Sequence, residues 1–531
     1  MKLRSLAIFL ILTLWFLIAL ADDVHHHDAA EKLGTVSFPI SCAAGSQKPF
    51  ERGMALLYSF EYEEAGNQFK DVSAKDPKCP MAYWGEAMSL YHQLWARPGK
   101  EDLKRGADLL EKAKGLKPAT PRERDYINAL TVFYSNTDKL DHPRRADAYA
   151  TAMAGVYQRY PHDREAGVLY SLALLASGPE RDPGQTNAKK AVAILSRLFD
   201  EQPDHPGIAH YIIHACDNPG MAAMGLQAAR KYAAIAPSSA HAVHMPSHIF
   251  ARLGLWQDDI QSNLAAVAVA EKMPGMHMHH RMHSMDFLNY AYLQIGDDKN
   301  AKAQIDGLAT LHKQDIEEDY RDYYDGMVAD FTARYALERR QWKEALALEP
   351  VPGATPGIQA VAYWARAVAA GHLHDAPAAQ DALNHYEERL EAFKKTPKGY
   401  LAAGLKDEHD EVKAWTAFAA GKQEDALKWM GAAADDQDKV GKGESELPAR
   451  EMLGDMLLEL NRPQEALAEF EISLKTDPNR FNGLYGAARA AEMSQQRQKA
   501  AVFYAQLVKN CAGSNSDRPE LERARTQMAA R

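Results

Sequence analysis

The chain repeats one arrangement of small, aromatic and proline residues with the spacing of a 34-residue unit, and this repetition constrains its fold most strongly. One copy consists of Leu453, Gly454, Leu457, Ala466, Phe470 and Pro478. The next copy consists of Ala487, Ala488, Ala491, Ala500 and Tyr504. A copy near the N-terminus consists of Gly53, Leu56, Ala65, Phe69 and Pro77. The small residues let two antiparallel helices approach, the aromatic ring fills the space between hairpins, and the proline ends the second helix because it lacks an amide donor.

This arrangement resembles the tetratricopeptide repeat (TPR) family. The resemblance implies an all-α fold, an α-solenoid of antiparallel helical hairpins that forms a right-handed, TPR-like superhelix. Between the two ends the units lengthen, but a turn residue is still followed five positions later by alanine. These pairs are Gly296/Ala301, Gly421/Ala426, Asn461/Ala466 and, more weakly, Arg340/Ala345, with a related turn at Gly254. A solenoid of this family implies a concave surface that binds a peptide or protein ligand.

The first 21 residues have the order of parts of a secretory signal peptide. Lys2 and Arg4 precede an apolar run from Leu6 to Leu20, and Ala19 to Ala21 form a small-x-small cleavage site. The run is shorter than the roughly 18 to 20 apolar residues that a spanning helix needs. We therefore predict an exported bacterial protein, periplasmic or secreted, that has no membrane contact after cleavage.

Composition changes along the chain predict five parts. The segment Glu349–Gly357 holds three prolines and two glycines and cannot be helical throughout. The predicted parts are a signal peptide at 1–21, a mobile segment at 22–45, a TPR-like array with a histidine-rich centre at 46–348, a Pro/Gly linker at 349–359 and a second TPR-like array at 360–531.

Charge and cysteine content narrow the partners and the compartment. The formal net charge is −10 with acidic and basic residues mixed, which argues against a nucleic-acid partner because phosphates need a basic face. Export permits disulfides, and Cys42 and Cys79 flank the first helical hairpin. A bond between them would contribute about 4 kcal/mol on the chain-entropy model. The alternative is two unpaired thiols.

Histidines are concentrated in the centre of the chain. Ten of the 21 lie between His205 and His283, where an even distribution would place roughly three. They form three groups, at 205–217, 241–256 and 277–286. Burying so many polar rings without partners would cost several kcal/mol, so they need hydrogen bonds, water or a metal ion.

The spacing of these histidines indicates which of them converge. Residues four apart share one face of a helix, as do residues three or seven apart, and Pro246 is a position where a new helix can begin. Neighbouring hairpins would then bring the faces together in one internal pocket. The predicted ligands of a metal ion are His210, His214, His241, His244, His248 and His283. The residues predicted to orient these ligands from behind are His205, Asp217 and Asp286.

Two interpretations of the cluster remain open, a bound transition metal and a metal-free hydrogen-bond network. Imidazole ligands suit Zn, Cu or Fe. Met276, Met278, Met282 and Met285 add a composition typical of copper-handling segments, although methionine also packs cores. No HExxH motif supports a zinc protease. Cys216 lies beside the histidines and is either a soft ligand or a buried apolar residue.

The same segments resemble a group of exported bacterial repeat proteins that carry the motifs HYxIHxxD and HxxHMPSHIFxRLGxW. The matching residues are His210, Tyr211, Ile213, His214 and Asp217, then His241, His244 to Phe250, Arg252, Leu253, Gly254 and Trp256. The resemblance implies a common site without naming its reaction.

Three functions are compatible with these patterns. The first, which we favour from the sequence, is a binding scaffold with a structural metal site. The others are a metal-dependent enzyme, hydrolytic or oxidative, and a periplasmic copper-handling protein. The sequence identifies no catalytic residue. Open coordination positions and a nearby carboxylate would favour the enzyme, whereas a closed four-ligand sphere would favour the scaffold.

Overall fold

The computed structural model describes residues 31–94, 97–177, 184–272, 278–311, 313, 316, 318–440 and 442–529. Within these ranges the chain contains helices joined by short turns and no strand, so the predicted all-α fold is confirmed. No described helix combines the length and apolarity needed to cross a bilayer. The predicted signal peptide lies outside the described residues.

Consecutive helices pack as antiparallel hairpins, α1 on α2, α3 on α4 and so on along the solenoid. The helices before the histidine-rich centre are α1 (Gln47–Tyr58), α2 (Tyr62–Lys75), α3 (Pro80–Ser89), α4 (Lys100–Gly115), α5 (Pro121–Tyr134), α6 (His142–Arg159), α7 (Arg164–Ala176) and α8 (Thr186–Glu201). The central helices are α9 (Pro206–Cys216), α10 (Ala222–Ile235), α11 (Ala240–His244), α12 (Pro246–Arg252), α13 (Trp256–Ala270), α14 (Met278–Gln294), α15 (Asp298–Ala309), α16 (Arg321–Glu338) and α17 (Trp342–Leu346).

The second half continues the same pairing and ends on a single helix that packs against its predecessor. Its helices are α18 (Pro356–His372), α19 (Ala376–Lys394), α20 (Lys406–Ala419), α21 (Gln423–Val440), α22 (Ala449–Glu459), α23 (Pro463–Thr476), α24 (Phe481–Met493), α25 (Arg497–Asn510) and α26 (Pro519–Ala529). Short 3-10 helices lie at Ala44–Ser46, Glu318–Tyr320 and Gly399–Leu405.

The aromatic residue of the repeat wedges between two hairpins, as the spacing predicts. Phe69 is fully buried, and a Cβ atom built on Gly53 of α1 or Gly85 of α3 would come within 2.6 or 2.5 Å of its ring. Phe470 is held in the same way between Gly454 of α22 and Gly486 of α24. Glycine is therefore required on both sides of the ring, because any side chain would displace it.

The predicted turn residues adopt the left-handed conformation that ends one helix and redirects the chain into the next. Gly296 has φ of 70° and Gly421 has φ of 73°. The non-glycine turn residues Arg340 and Asn461 adopt φ of 55° and 56°. The alanine five positions later is fully buried after each of these four turns, which lets the two helices approach closely.

Two predicted boundaries are corrected. The predicted mobile segment 22–45 extends too far, because Leu33, Val36 and Phe38 are buried in the main core and hold residues 33–38 in place. The predicted linker 349–359 is not a boundary between two cores. Helix α18 begins inside it, at Pro356, and the helices α16 and α17 before it share one core with α18 and with α20 to α26. Proline suits the first turn of a helix, where its missing amide donor is not needed.

Candidate metal centre

Four helices supply the predicted histidine ligands, and local sequence fixes where three of them begin. α9 carries His210 and His214, α11 carries His241 and His244, α12 carries His248 and α14 carries His283. His205 caps α9, since its Nδ1 accepts from the amide of Ile208, and Ser239 caps α11. Pro246 separates α11 from α12, as its missing amide predicts.

The first group of histidines, which we call triad one, consists of His210, His214 and His241. The Nε2 atom of His210 lies 3.0 Å from Nε2 of His241 and 3.1 Å from Nε2 of His214. One ligand atom from each residue lies within 4.8 Å of the other two. His210 and His241 are buried, and the ring of Phe60 stacks on His214 and His241. Three imidazole nitrogens therefore converge in an apolar interior.

The second group, triad two, consists of His244, His248 and His283. Nε2 of His244 lies 3.0 Å from Nε2 of His248, and one ligand atom from each of the three rings again lies within 4.8 Å of the other two. Phe287 packs on all three rings, with centroid distances of 5.0 Å to His244, 4.8 Å to His248 and 5.3 Å to His283. Triad two repeats the design of triad one around a different phenylalanine.

The prediction of one shared pocket is therefore corrected to two neighbouring triads. His241 and His244 lie on the same helix, but three residues rise about 4.5 Å along a helix axis, so each ring joins a different triad. The triads remain close: the ring centroids of His241 and His244 are 6.3 Å apart, and those of His214 and His248 are 6.4 Å apart.

Four of the six rings are held from behind through Nδ1. Nδ1 of His210 lies 2.6 Å from the carbonyl oxygen of Tyr58. Nδ1 of His244 lies 2.6 Å from Oδ1 of Asn263, whose amide nitrogen donates to Asp259. These contacts fix the ring orientations and direct Nε2 toward the centre of each triad, as the partners of metal-bound histidines do.

The other two rings that are held through Nδ1 are those of His248 and His283, which belong to triad two with His244. Nδ1 of His248 lies 3.0 Å from Asp217 and 2.7 Å from Glu444. Nδ1 of His283 lies 3.1 Å from the hydroxyl of Tyr323. Asp217, which the sequence predicts as an orienting residue, therefore contacts His248 rather than His214.

A metal-free network satisfies these nitrogens poorly. A carbonyl oxygen only accepts, so Nδ1 of His210 carries the hydrogen and its Nε2 presents one lone pair. Two other ring nitrogens face that single lone pair at 3.0 and 3.1 Å, and one hydrogen can occupy it. A tetrahedral ion with bonds of 2.0–2.1 Å separates its ligand nitrogens by about 3.3 Å. The residues present therefore fit a metal ion.

Burial keeps triad one in the neutral form that binds metals. It lowers the pKa of His210 to about 3, although the hydrogen bond to the Tyr58 carbonyl opposes the shift. Burial also lowers the pKa of His214 and His241 well below the ordinary value. Neutral imidazole is the ligand form, so these rings need release no proton to bind an ion.

Triad two differs because carboxylates lie against one of its rings. Burial lowers the pKa of His244, and it lowers that of His283 to about 4. Burial opposes the charge on His248 as well, but Glu444 and Asp217 outweigh it and raise its pKa to about 10. Arg252 donates to Asp217 at 3.0 Å and balances part of this negative charge.

Two predicted orienting residues act elsewhere. His205 contacts Glu165 at 3.3 Å and packs on the ring of Tyr58, so it reaches triad one through Tyr58. Asp286 accepts from Arg334 at 2.7 Å and from the hydroxyl of Ser445 at 3.1 Å, so it pairs with a cation instead of standing behind a histidine.

The sulfur-containing candidates that the structure describes do not join the triads. Met282 and Met285 are buried in a hydrophobic cluster with Leu308 and Phe331, and Met278 packs against that cluster, while Met276 lies outside the described residues. Burial raises the pKa of Cys216 to about 12, which disfavours a thiolate ligand. Cys42 and Cys79 form a disulfide with Cα atoms 4.9 Å apart, so neither offers a thiolate.

Sequence reasoning missed the groups that hold the rings. Asn263 lies on α13, and an asparagine in a helix carries no local signal of this role. Glu444 lies 196 residues from His248, in the turn between α21 and α22, and only the folded solenoid brings the two together. The Tyr58 contact is made by the backbone, which every residue type provides.

Comparisons with known proteins add little to this description. No protein-family model matches the chain. No curated protein matches it in sequence. Among solved structures, the chain is similar to the human IFIT1 dimer with m7Gppp-AAAA, at 12% identity over 82% of this chain and 90% of that chain, with a TM-score of 0.37. A likeness at this level carries no argument about function, which has to be inferred from the site.

Proposed function

We propose that this protein is a metal-dependent enzyme that holds two transition-metal ions, one in each histidine triad, inside a TPR-like scaffold. The observation that carries the proposal is the number of ligands. Each triad offers three imidazole nitrogens. Structural zinc sites use four protein ligands, whereas catalytic sites use three and leave a position for water or substrate. Three protein ligands per ion favour an enzyme over the scaffold with a structural metal, which was the function that the sequence favoured.

The six rings also restrict the identity of the ions. Imidazole suits copper, zinc and iron, whereas magnesium, calcium and manganese prefer oxygen ligands. The carboxylates Asp217 and Glu444 contact His248 through Nδ1, on the side away from Nε2 of His244, so they act as orienting groups. Copper binds most tightly to nitrogen sites in the order of divalent metals. We therefore favour a copper pair, which would supply oxidative chemistry, over a zinc pair, which would supply hydrolysis.

Export belongs to the same proposal. The signal-peptide pattern at 1–21 supports secretion or a periplasmic location, and the Cys42–Cys79 disulfide is typical of an oxidising compartment. An exported enzyme would meet its ions and substrate outside the cytoplasm. A copper carrier that relies on methionine is less well supported, because Met282 is fully buried in an apolar cluster.

A metal titration with one pair of variants for each triad tests this proposal. Metal-free protein would be titrated with Cu²⁺ and, separately, with Zn²⁺ against a competing chelator. We expect two tight sites in the wild type, one in the double variant His210→Gln/His214→Gln and one in the double variant His244→Gln/His283→Gln. The control His385→Gln, whose side chain is 42% exposed, should retain both sites.

Each alternative result has a distinct meaning. One site that disappears in both double variants would indicate a single shared ion and contradict the dinuclear centre. Wild-type affinity in all variants would mean that the histidines form a metal-free network. X-ray absorption that shows four protein nitrogens on each ion would replace the enzyme with the structural-metal scaffold.

A further inference from the structure

A cavity of about 260 Å³ lies beside triad two, and six acidic residues line its wall. Its acidic residues are Asp286, Asp330, Asp407, Glu408, Glu411 and Glu446. Its wall also includes Trp364 and one arginine, Arg334, which Asp286 engages at 2.7 Å. The formal charge of the wall is therefore strongly negative, and its arginine already has a partner.

The cavity adjoins the proposed metal centre through two connections. Asp286 lies on α14, three residues and about one helical turn beyond His283. Ser445 and Glu446 follow Glu444, which contacts His248. A molecule in the cavity would thus lie next to the groups that orient triad two.

A bound ligand could donate a hydrogen bond to one carboxylate in the wall, that of Glu408. Oε1 of Glu408 is buried and accepts no hydrogen bond from a described residue, while the hydroxyl of Tyr386 lies close enough to this carboxylate to favour its charged form. Burial, with Asp330 and Glu446 nearby, raises the pKa of Glu408 to about 8, and burial raises that of Asp330 to about 7. Burial also raises the pKa of Glu411 well above its ordinary value. Desolvated carboxylates of this kind need a cation or a proton.

The arrangement of the wall favours an organic cation over a metal ion. A metal ion needs several ligand atoms close to one another. Among the described residues, none of the six carboxylates of this cavity belongs to a group of side chains whose ligand atoms lie close enough to share an ion. A molecule with several donors can contact carboxylates spread around a wall, whereas an ion cannot. The indole of Trp364 is held by its N–H donating to Glu411 at 2.7 Å, and an aromatic face attracts ammonium and guanidinium groups.

We propose that this cavity binds a small organic cation, a primary ammonium or guanidinium compound, and that this is the substrate class of the neighbouring centre. The second half of the proposal rests on the proposed function, while the first half stands without a metal. The cationic group would lie among Glu408, Glu411 and Asp330 and against the ring of Trp364, with the apolar part of the molecule toward Leu405.

Calorimetric titration of metal-free and metal-loaded full-length protein with n-butylammonium chloride tests the proposal, in a buffer free of amines. 1-Butanol is the neutral control ligand. We expect butylammonium to bind at least tenfold more tightly than butanol. The substitutions Glu408→Gln and Glu411→Gln should each weaken its binding by about tenfold or more, in keeping with a charge-assisted hydrogen bond. Trp364→Leu should weaken it several-fold.

The exposed Glu424 on α21 provides a matched control, and Glu424→Gln should leave butylammonium affinity within twofold of the wild type. Circular dichroism would establish that each variant is folded. Equal binding of butanol, unchanged affinity in folded Glu408→Gln and Glu411→Gln proteins, or displacement of butylammonium by micromolar Ca²⁺ would overturn the cation cavity. Binding to the metal-free protein supports the cavity even if the metal titration fails, so the two proposals fail separately.

Discussion

Asn263 holds the ring of His244 from behind and is itself anchored by Asp259. We predict that Asn263→Ala weakens metal binding at triad two by about 10- to 100-fold, because partners of this kind fix the tautomer and orientation of a ligand. Binding at triad one should stay unchanged, as should both sites in the control Asn384→Ala, which alters an exposed asparagine of α19. Competition titration with a chelator measures both sites. Equal loss at both triads would show a general loss of structure instead.

We also expect the stability of the protein to depend on pH through the buried carboxyl group of Glu408. Burial raises its pKa from 4.5 to about 8. Between these values the folded chain holds a proton that the unfolded chain has released, so stability falls as pH rises through this window. Thermal melts of metal-free protein should therefore lose more stability between pH 5 and pH 8 in the wild type than in Glu408→Gln. Glu424→Gln should follow the wild type. Parallel profiles for wild type and Glu408→Gln would contradict the assignment.

The sequence predicts which site residues lie together only where those residues share one helix. The four-residue spacing of His210 and His214 predicts one face, and both rings enter triad one. His241 and His244 enter different triads because they differ in position along the helix axis and because different side chains pack against them. The sequence spacing of the two residues does not predict this division. Glu444 comes from a distant hairpin, so only tertiary structure brings it to His248.

Helices pack closely where glycine faces the aromatic wedge of the repeat. A methyl group at Gly85 would meet the ring of Phe69 at 2.5 Å. We predict that Gly85→Ala destabilises the protein by about 1–3 kcal/mol, the usual cost of overpacking. Gly155 of α6 is a matched control, because a Cβ atom there would meet nothing within 4 Å.

Gly155→Ala should instead stabilise the chain by about 0.5–1 kcal/mol, since alanine restricts the unfolded chain and favours a helix. Chemical denaturation of the two variants measures the difference. Destabilisation of similar size in both would mean that the wedge is not the cause.

The helical hairpins were the part of this fold that the sequence predicted best. Small and aromatic residues at a fixed spacing predict hairpins because they determine how closely two helices approach. The Pro/Gly segment was predicted to be a linker between two arrays, but Pro356 is the first residue of α18 and does not end a domain. The segment at 33–38 packs without regular structure, so periodicity could not detect it, although Leu33, Val36 and Phe38 are apolar.

The two halves of the molecule are joined by buried polar contacts beside the histidine helices. Arg480, fully buried at the start of α24, donates to Glu338 at 2.7 Å and Glu451 at 2.9 Å, and also to the hydroxyl of Tyr290 on α14. Trp256 donates to the carbonyl oxygen of Asn479 at 2.8 Å. The C-terminal hairpins thus hold α14 in position, and triad two depends on both halves.

Removing one member of this buried network should be costly. We predict that Arg480→Met destabilises the protein by about 3–5 kcal/mol, because Glu338 and Glu451 would remain buried without their cation. Arg144→Met, at an exposed position of α6, should change stability by less than about 0.5 kcal/mol. Denaturant melts compare the two, and a small effect of Arg480→Met would indicate that the halves are held by apolar packing alone.

In the proposed function, each histidine triad holds one transition-metal ion between the central helices. Elemental analysis of the full-length protein, purified from its exported compartment without a metal-affinity step or chelator, tests this most directly. Two ions per chain, drawn from copper, zinc or iron, are the predicted result. A content of one ion per chain would contradict the paired centre, and a content near zero would contradict the metal site itself.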